Sequence, residues 1–135
     1  MSSNRWVLYL LGVALGIPSL NGCGKPATPK RYAVQGRVTL DKKPLEKGVI
    51  YFKIVESGEL NTFQIQNGEF AGELGEGERR VEIVSYVSRG ERDIGGMKGE
   101  FQENLIPAHY NIDSKITATV TPTGPNQFVF DLVSR

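Results

Sequence analysis

The sequence predicts an all-β protein, an antiparallel Greek-key β-sandwich of about seven strands behind an N-terminal signal helix. Three observations predict it. Apolar and polar residues alternate in short runs through residues 32–135. Turn-forming residues separate the runs, with Asn67-Gly68 the strongest hairpin signal among them. No helical period appears after residue 22.

The first element is the signal. A short n-region, Met1 to Arg5, precedes an apolar run from Trp6 to Ile17, which Pro18-Ser19 then breaks. As a helix such a run rises about 18 Å, against a hydrocarbon core of about 30 Å. It therefore matches the h-region of a secretory signal better than a membrane span. Leu20-Asn21-Gly22-Cys23 resembles the bacterial lipobox, with Leu three residues before the cysteine and a small residue just before it. The resemblance implies cleavage between Gly22 and Cys23, a diacylglyceryl group on the Cys23 thiol, and acylation of the new amine. One acyl chain holds a protein marginally, whereas two or three hold it stably, at about 0.8 kcal/mol per buried methylene. Gly24 after the cysteine favours, by the same resemblance, an outer-membrane destination. The expected organisation is a signal peptide over 1–22, lipidated Cys23 with a tether over 23–31, and a β-sandwich domain over 32–135. The tether carries Pro26, Pro29, Lys25, Lys30 and Arg31 without apolar periodicity, which reads as extended, solvated chain.

The strands follow in order. Tyr32, Val34, Val38 and Leu40 share one parity, with Gln35 on the other. Ile50, Phe52 and Ile54 alternate with Val49, Tyr51 and Lys53. Phe63 and Ile65 lead into the Asn67-Gly68 turn, and Phe70 follows it. Val81, Ile83 and Val87 face one way and Glu82, Val84 and Tyr86 the other. Ile116, Ala118 and Val120 alternate with threonines, and Phe128, Phe130 and Leu132 finish the pattern. Two-sided alternation of this kind buries one face of each strand and leaves the other wet.

Val38-Thr39-Leu40-Asp41-Lys42-Lys43-Pro44-Leu45, followed by Gly48-Val49-Ile50-Tyr51-Phe52, resembles the opening of the carboxypeptidase regulatory-like domain, a transthyretin-like seven-stranded sandwich. Asn67-Gly68-Glu69-Phe70, the Gly77 to Ile83 segment and Ile106 to Asn111 are similar to its later parts. The resemblance covers roughly residues 32–135 and implies a fold and an envelope location more than an activity. Two positions depart from the family pattern. Lys42 stands where a turn glycine is usual, which implies a mildly strained residue or a different turn. Arg79 stands where a tyrosine usually points inward, so either other aromatics finish the core or Arg79 lies at the rim with its guanidinium in water.

Composition bounds the chemistry. Sixteen basic and fifteen acidic residues give a net charge of +1, and Arg5 is the only charged residue in 1–22. That balance argues against nucleic-acid binding, which needs a basic excess on one face. One cysteine excludes an intramolecular disulfide and a multi-cysteine zinc site, and one histidine excludes any two-histidine design. His109 has no second His or Cys near it in sequence, the serines lack a nucleophile-elbow context, and Gly72 to Gly77 carries glutamates where a phosphate cradle needs neutral or basic groups. No catalytic residue, metal ligand or cofactor is assigned.

The irregular stretch Ser88 to Lys115 exceeds the usual loop length and is therefore the candidate contact segment. Arg89, Glu91, Arg92, Asp93, Met97 and Lys98 form the expected mobile contact loop, while Phe101, Leu105, Ile106, Pro107, Tyr110 and Ile112 are expected to pack over the sandwich edge. The leading functional reading is a non-enzymatic module, anchored to a membrane through lipid on Cys23 and contacting an envelope protein or glycan. The alternative is an oligomeric small-molecule carrier of transthyretin type. A transthyretin-related hydrolase is excluded, since that activity uses several histidines and a C-terminal Tyr-Arg-Gly-Ser, against Leu132-Val133-Ser134-Arg135 here.

Overall fold

The computed structural model describes Gly24 and residues 26–135; the signal peptide, Gly22 and Cys23 lie outside the described residues. The domain is all-β. Ten strands follow in order: β1 (Tyr32–Leu40), β2 (Lys43–Pro44), β3 (Lys47–Lys53), β4 (Leu60–Gln66), β5 (Glu69–Leu74), β6 (Gly77–Val84), β7 (Tyr86–Ile94), β8 (Met97–Asn104), β9 (Thr117–Val120) and β10 (Gln127–Leu132). A single 3-10 turn, Ala108–Tyr110, interrupts them.

Seven strands form one path, β10-β1-β5-β4-β3-β6-β9, with β2 paired to β1, while β7 and β8 form a separate two-stranded sheet. Every neighbouring pair in the path is antiparallel except β1 with β10, which run parallel from Gln35↔Gln127 to Leu40↔Leu132. That pair departs from the wholly antiparallel expectation. It follows from β9 and β10 being joined across the end of the molecule where β1 begins.

The long sheet is curled. Strands β3 and β10 lie four steps apart in the path, about 19 Å in a flat sheet. Yet the rings of Phe52 on β3 and Phe128 on β10 are 6.2 Å apart. The bend lies between β4 and β5, which share only the residue pair Gln66↔Glu69 beside their turn. The two arms thus close over one apolar core, as the layers of a β-sandwich do. Val34, Val38, Phe70, Phe130 and Leu132 fill it from the β10-β1-β5 arm, and Ile50, Phe52, Ile65, Val81, Ile83, Ala118 and Val120 from the β4-β3-β6-β9 arm. These are the parities read from the sequence. Across the bend, a Cβ on Gly72 would lie 2.1 Å from the Phe63 ring, so only glycine allows β4 and β5 to approach there.

The β4–β5 turn is the one predicted, with Asn67 at φ 50° and Gly68 at φ 79°. The β1–β2 turn is tight as well. Asp41 and Lys42 occupy the left-handed region at φ 52° and φ 67°, as a two-residue turn with right-handed twist requires. A side chain there costs about 1–2 kcal/mol, part of which glycine returns through its freer unfolded state. Lys42→Gly is therefore expected to raise the unfolding free energy by about 0.5–1 kcal/mol, read as a shift in urea midpoint.

Two expectations need correction. Arg79 does not sit at the rim in water; it is 1% exposed and the largest fully buried side chain. It follows Val81 and Ile83 inward along β6, so strand parity carries it into the end of the core. The chain from Ser88 to Lys115 is not a mobile loop followed by a packed edge. Most of its first part is the β7–β8 ribbon, Phe101 belongs to that ribbon, and Ile112 is 75% exposed. Ile106 is buried, and Tyr110 packs against the core, as expected.

Strand directions define two ends of the domain. At one lie the start of β1, the β5–β6 turn, the β3–β4 loop and the β9–β10 connection. At the other lie the Asp41-Lys42 and Asn67-Gly68 turns, the end of β6 and the end of β10. Residues 26–31 join at the first end, where Arg31 donates to Asn61 Oδ1 at 3.2 Å. The β7–β8 ribbon leaves from the second, directly after Val84.

Candidate functional site

The ribbon begins where β6 runs out. Ser85 is buried, and its hydroxyl donates to the Lys47 carbonyl at 2.6 Å. Its N–H donates to Asn104 Oδ1 at 3.0 Å, and that oxygen also accepts from the Ile106 N–H at 3.1 Å. The Leu105 N–H closes the clamp on the Ser85 carbonyl at 2.8 Å. One serine and one asparagine therefore fix both feet of the ribbon, while Tyr86 and nearly all the strand residues beyond it are exposed. This clamp also explains why Val87 does not share the core face of Val81 and Ile83: the chain changes sheets at Ser85.

The far end closes through Gly95-Gly96, at φ 65° and φ 87°, between the paired residues Ile94 and Met97. Two glycines with positive φ make the tight turn whose twist suits a hairpin. The Asp93 carboxylate accepts from the Gly96 N–H at 2.7 Å and braces the turn. Near the base, a bulge between Ser88 and Glu91 places Gly90 at φ 88° and bends β7.

The structure brings all six contact residues read from the sequence onto this one ribbon, but gives them unequal roles. Arg89 forms an ion pair with Glu103 at 2.6 Å. Arg92 lies over the Phe101 ring, 3.9 Å from its centroid. Asp93 and Lys98 are cross-strand partners, and so are Glu91 and Glu100, where like charges oppose each other and weaken the pairing. Met97 is 76% exposed. Sequence reasoning missed Ile94, 69% exposed beside it, and the two form an apolar tip. The missed signal was the Gly95-Gly96 pair itself, a two-residue hairpin turn.

His109 is exposed and its ring centroid is 4.0 Å from that of Tyr110. Among the described residues no three His, Cys, Asp or Glu side chains are grouped to hold a metal ion, and no helix is long and apolar enough to cross a membrane.

The opposite end of the domain is held by charge. Arg79 donates to Glu59 Oε1 at 3.2 Å and to the Gly75 carbonyl at 3.1 Å, while its Nε has no partner. Glu59 also accepts from Asn61 at 2.8 Å, and Asn61 accepts from Arg31. The Asn61 hydrogen bond and, behind it, the Arg79 and Arg31 charges hold the Glu59 carboxyl below its ordinary range. Buried Arg79 is thus linked through Glu59 and Asn61 to the residue from which the tether leaves.

No family model matches the chain, and neither the curated proteins nor the solved structures contain a match to it.

Proposed function

We propose that the chain is a lipid-anchored, non-enzymatic module of the cell envelope, a transthyretin-like Greek-key sandwich that holds the β7–β8 ribbon away from its membrane for contact with a protein partner. The observation that supports this reading most is polarity. The tether joins one end of the domain, and the ribbon leaves from the other. The nine residues of β7 extend about 30 Å and nearly all are exposed, which suits the ribbon to reaching a partner beyond the sheet. An exposed apolar pair at the end of such an arm is suited to insertion into a pocket on a partner, where a few buried side chains supply most of the binding energy.

The test is crosslinking in intact cells from a photoreactive residue at Ile94. A discrete protein adduct is expected, absent when the reactive residue stands at Glu76 near the tether. The double variant Ile94→Ser with Met97→Ser is expected to lose the partner while its unfolding free energy changes by less than about 0.5 kcal/mol, because both side chains are already in water. Equal adducts from both positions would contradict the reading.

A further inference from the structure

The chain has five glutamines, and four of them, Gln35, Gln64, Gln66 and Gln127, line a single groove of about 720 Å³ on the outer face of the curled sheet. They come from β1, β4 and β10, segments far apart in sequence that the order β10-β1-β5-β4 brings side by side. All four are exposed. Among the described residues none of their carboxamides has a hydrogen-bond partner within the protein, whereas the carboxamide of Asn126, next to Gln127 in the chain, is engaged with Thr121.

We propose that this groove is a binding site for a neutral saccharide. A carboxamide offers two N–H donors and an oxygen acceptor without net charge, and a sugar hydroxyl both donates and accepts. Gln35 and Gln127 are register partners on adjacent strands, about 4.8 Å apart, close to the breadth of one pyranose ring. The charged residues in the groove, Arg37 and Glu69, are also register partners, so their charges offset each other and favour no ionic ligand. An extended peptide is less well served. At Gln35 to Arg37 the main chain is already paired on both sides, with β10 and with β5, and has no free edge for strand addition. The groove runs to Asn67, in the turn at the end remote from the tether, where a soluble or wall-bound glycan has access. The site stands apart from the ribbon and does not depend on it.

The experiment is a titration of the isotope-labelled protein in phosphocholine micelles with maltohexaose, cellohexaose and a mannan oligomer, following the side-chain amide signals of the glutamines by NMR. At least one of the three is expected to shift the Gln35, Gln64 and Gln127 signals saturably and leave Gln102 unmoved. The double variant Gln35→Ala with Gln64→Ala is expected to weaken binding at least about tenfold while its backbone spectrum stays dispersed. The proposal is overturned if none of the three saccharides moves these signals, if binding survives in the variant, or if a neutral glycine-serine peptide moves them as much as the sugars do.

Discussion

Replacing Arg79 with alanine is expected to lower the unfolding free energy by about 3–4 kcal/mol, enough to unfold a marginal domain of this size. The loss has two sources. The largest fully buried side chain disappears, leaving a void at the end of the core. The Gly75 carbonyl and one side of Glu59 also lose their donor. Arg79→Met is expected to cost much less, since it fills the space without burying a charge and removes an unpartnered Nε. Acid should distinguish the variants too. Folding lowers the Glu59 pKa from its ordinary 4.5, so this carboxylate contributes stability above pH 4.5 that is lost as pH falls through the lower, folded value. Its side chain is 43% exposed, so solvent screens the effect to a fraction of what a buried pair would show. The wild type should therefore lose slightly more stability than Arg79→Met between neutral pH and the acid side of that range. Equal urea midpoints for wild type and Arg79→Ala would refute the role given to this residue.

The second large effect falls on location. Cys23→Ala is expected to move the protein from the membrane fraction to the soluble fraction. Once the signal peptide is removed, a protein without acyl chains has only the basic residues of the tether, Lys30 and Arg31 among them, to hold a lipid surface. Such residues contribute about 1 kcal/mol each near an anionic membrane. Two acyl chains contribute far more than that, and one alone is marginal. Metabolic labelling with a fatty-acid analogue reads the same change directly: wild type marked, Cys23→Ala unmarked. Equal labelling of both would refute the anchor.

Local pattern carried much of the fold. Period-two alternation placed Val34, Val38, Ile50, Phe52, Ala118 and Leu132 in the core because inward parity depends only on neighbours two residues away. Asn67-Gly68 and the strained Lys42 were legible for the same reason, since a tight turn is a two-residue problem. What was not legible is non-local. The inward position of Arg79 was legible from parity with Val81 and Ile83, but its burial was not, because Glu59, twenty residues earlier, and the Gly75 carbonyl receive its guanidinium. The strands of the β7–β8 ribbon are charged and contain Gly90 and Gly99, a loop-like composition; pairing and the glycine turn, rather than burial, make them regular. The glutamine groove exists only once β10 lies beside β1, a register that no local pattern announces.

The central claim is that the membrane lies at one end of this domain and the contact surface at the other. Energy transfer from a fluorophore on the lipidated protein to acceptor lipids in vesicles tests it most directly, with the label on Glu76→Cys near the tether or on Met97→Cys at the ribbon tip. Efficient transfer from position 76 and little from position 97 is the predicted result. Transfer from position 97 equal to or greater than that from position 76 would contradict the account.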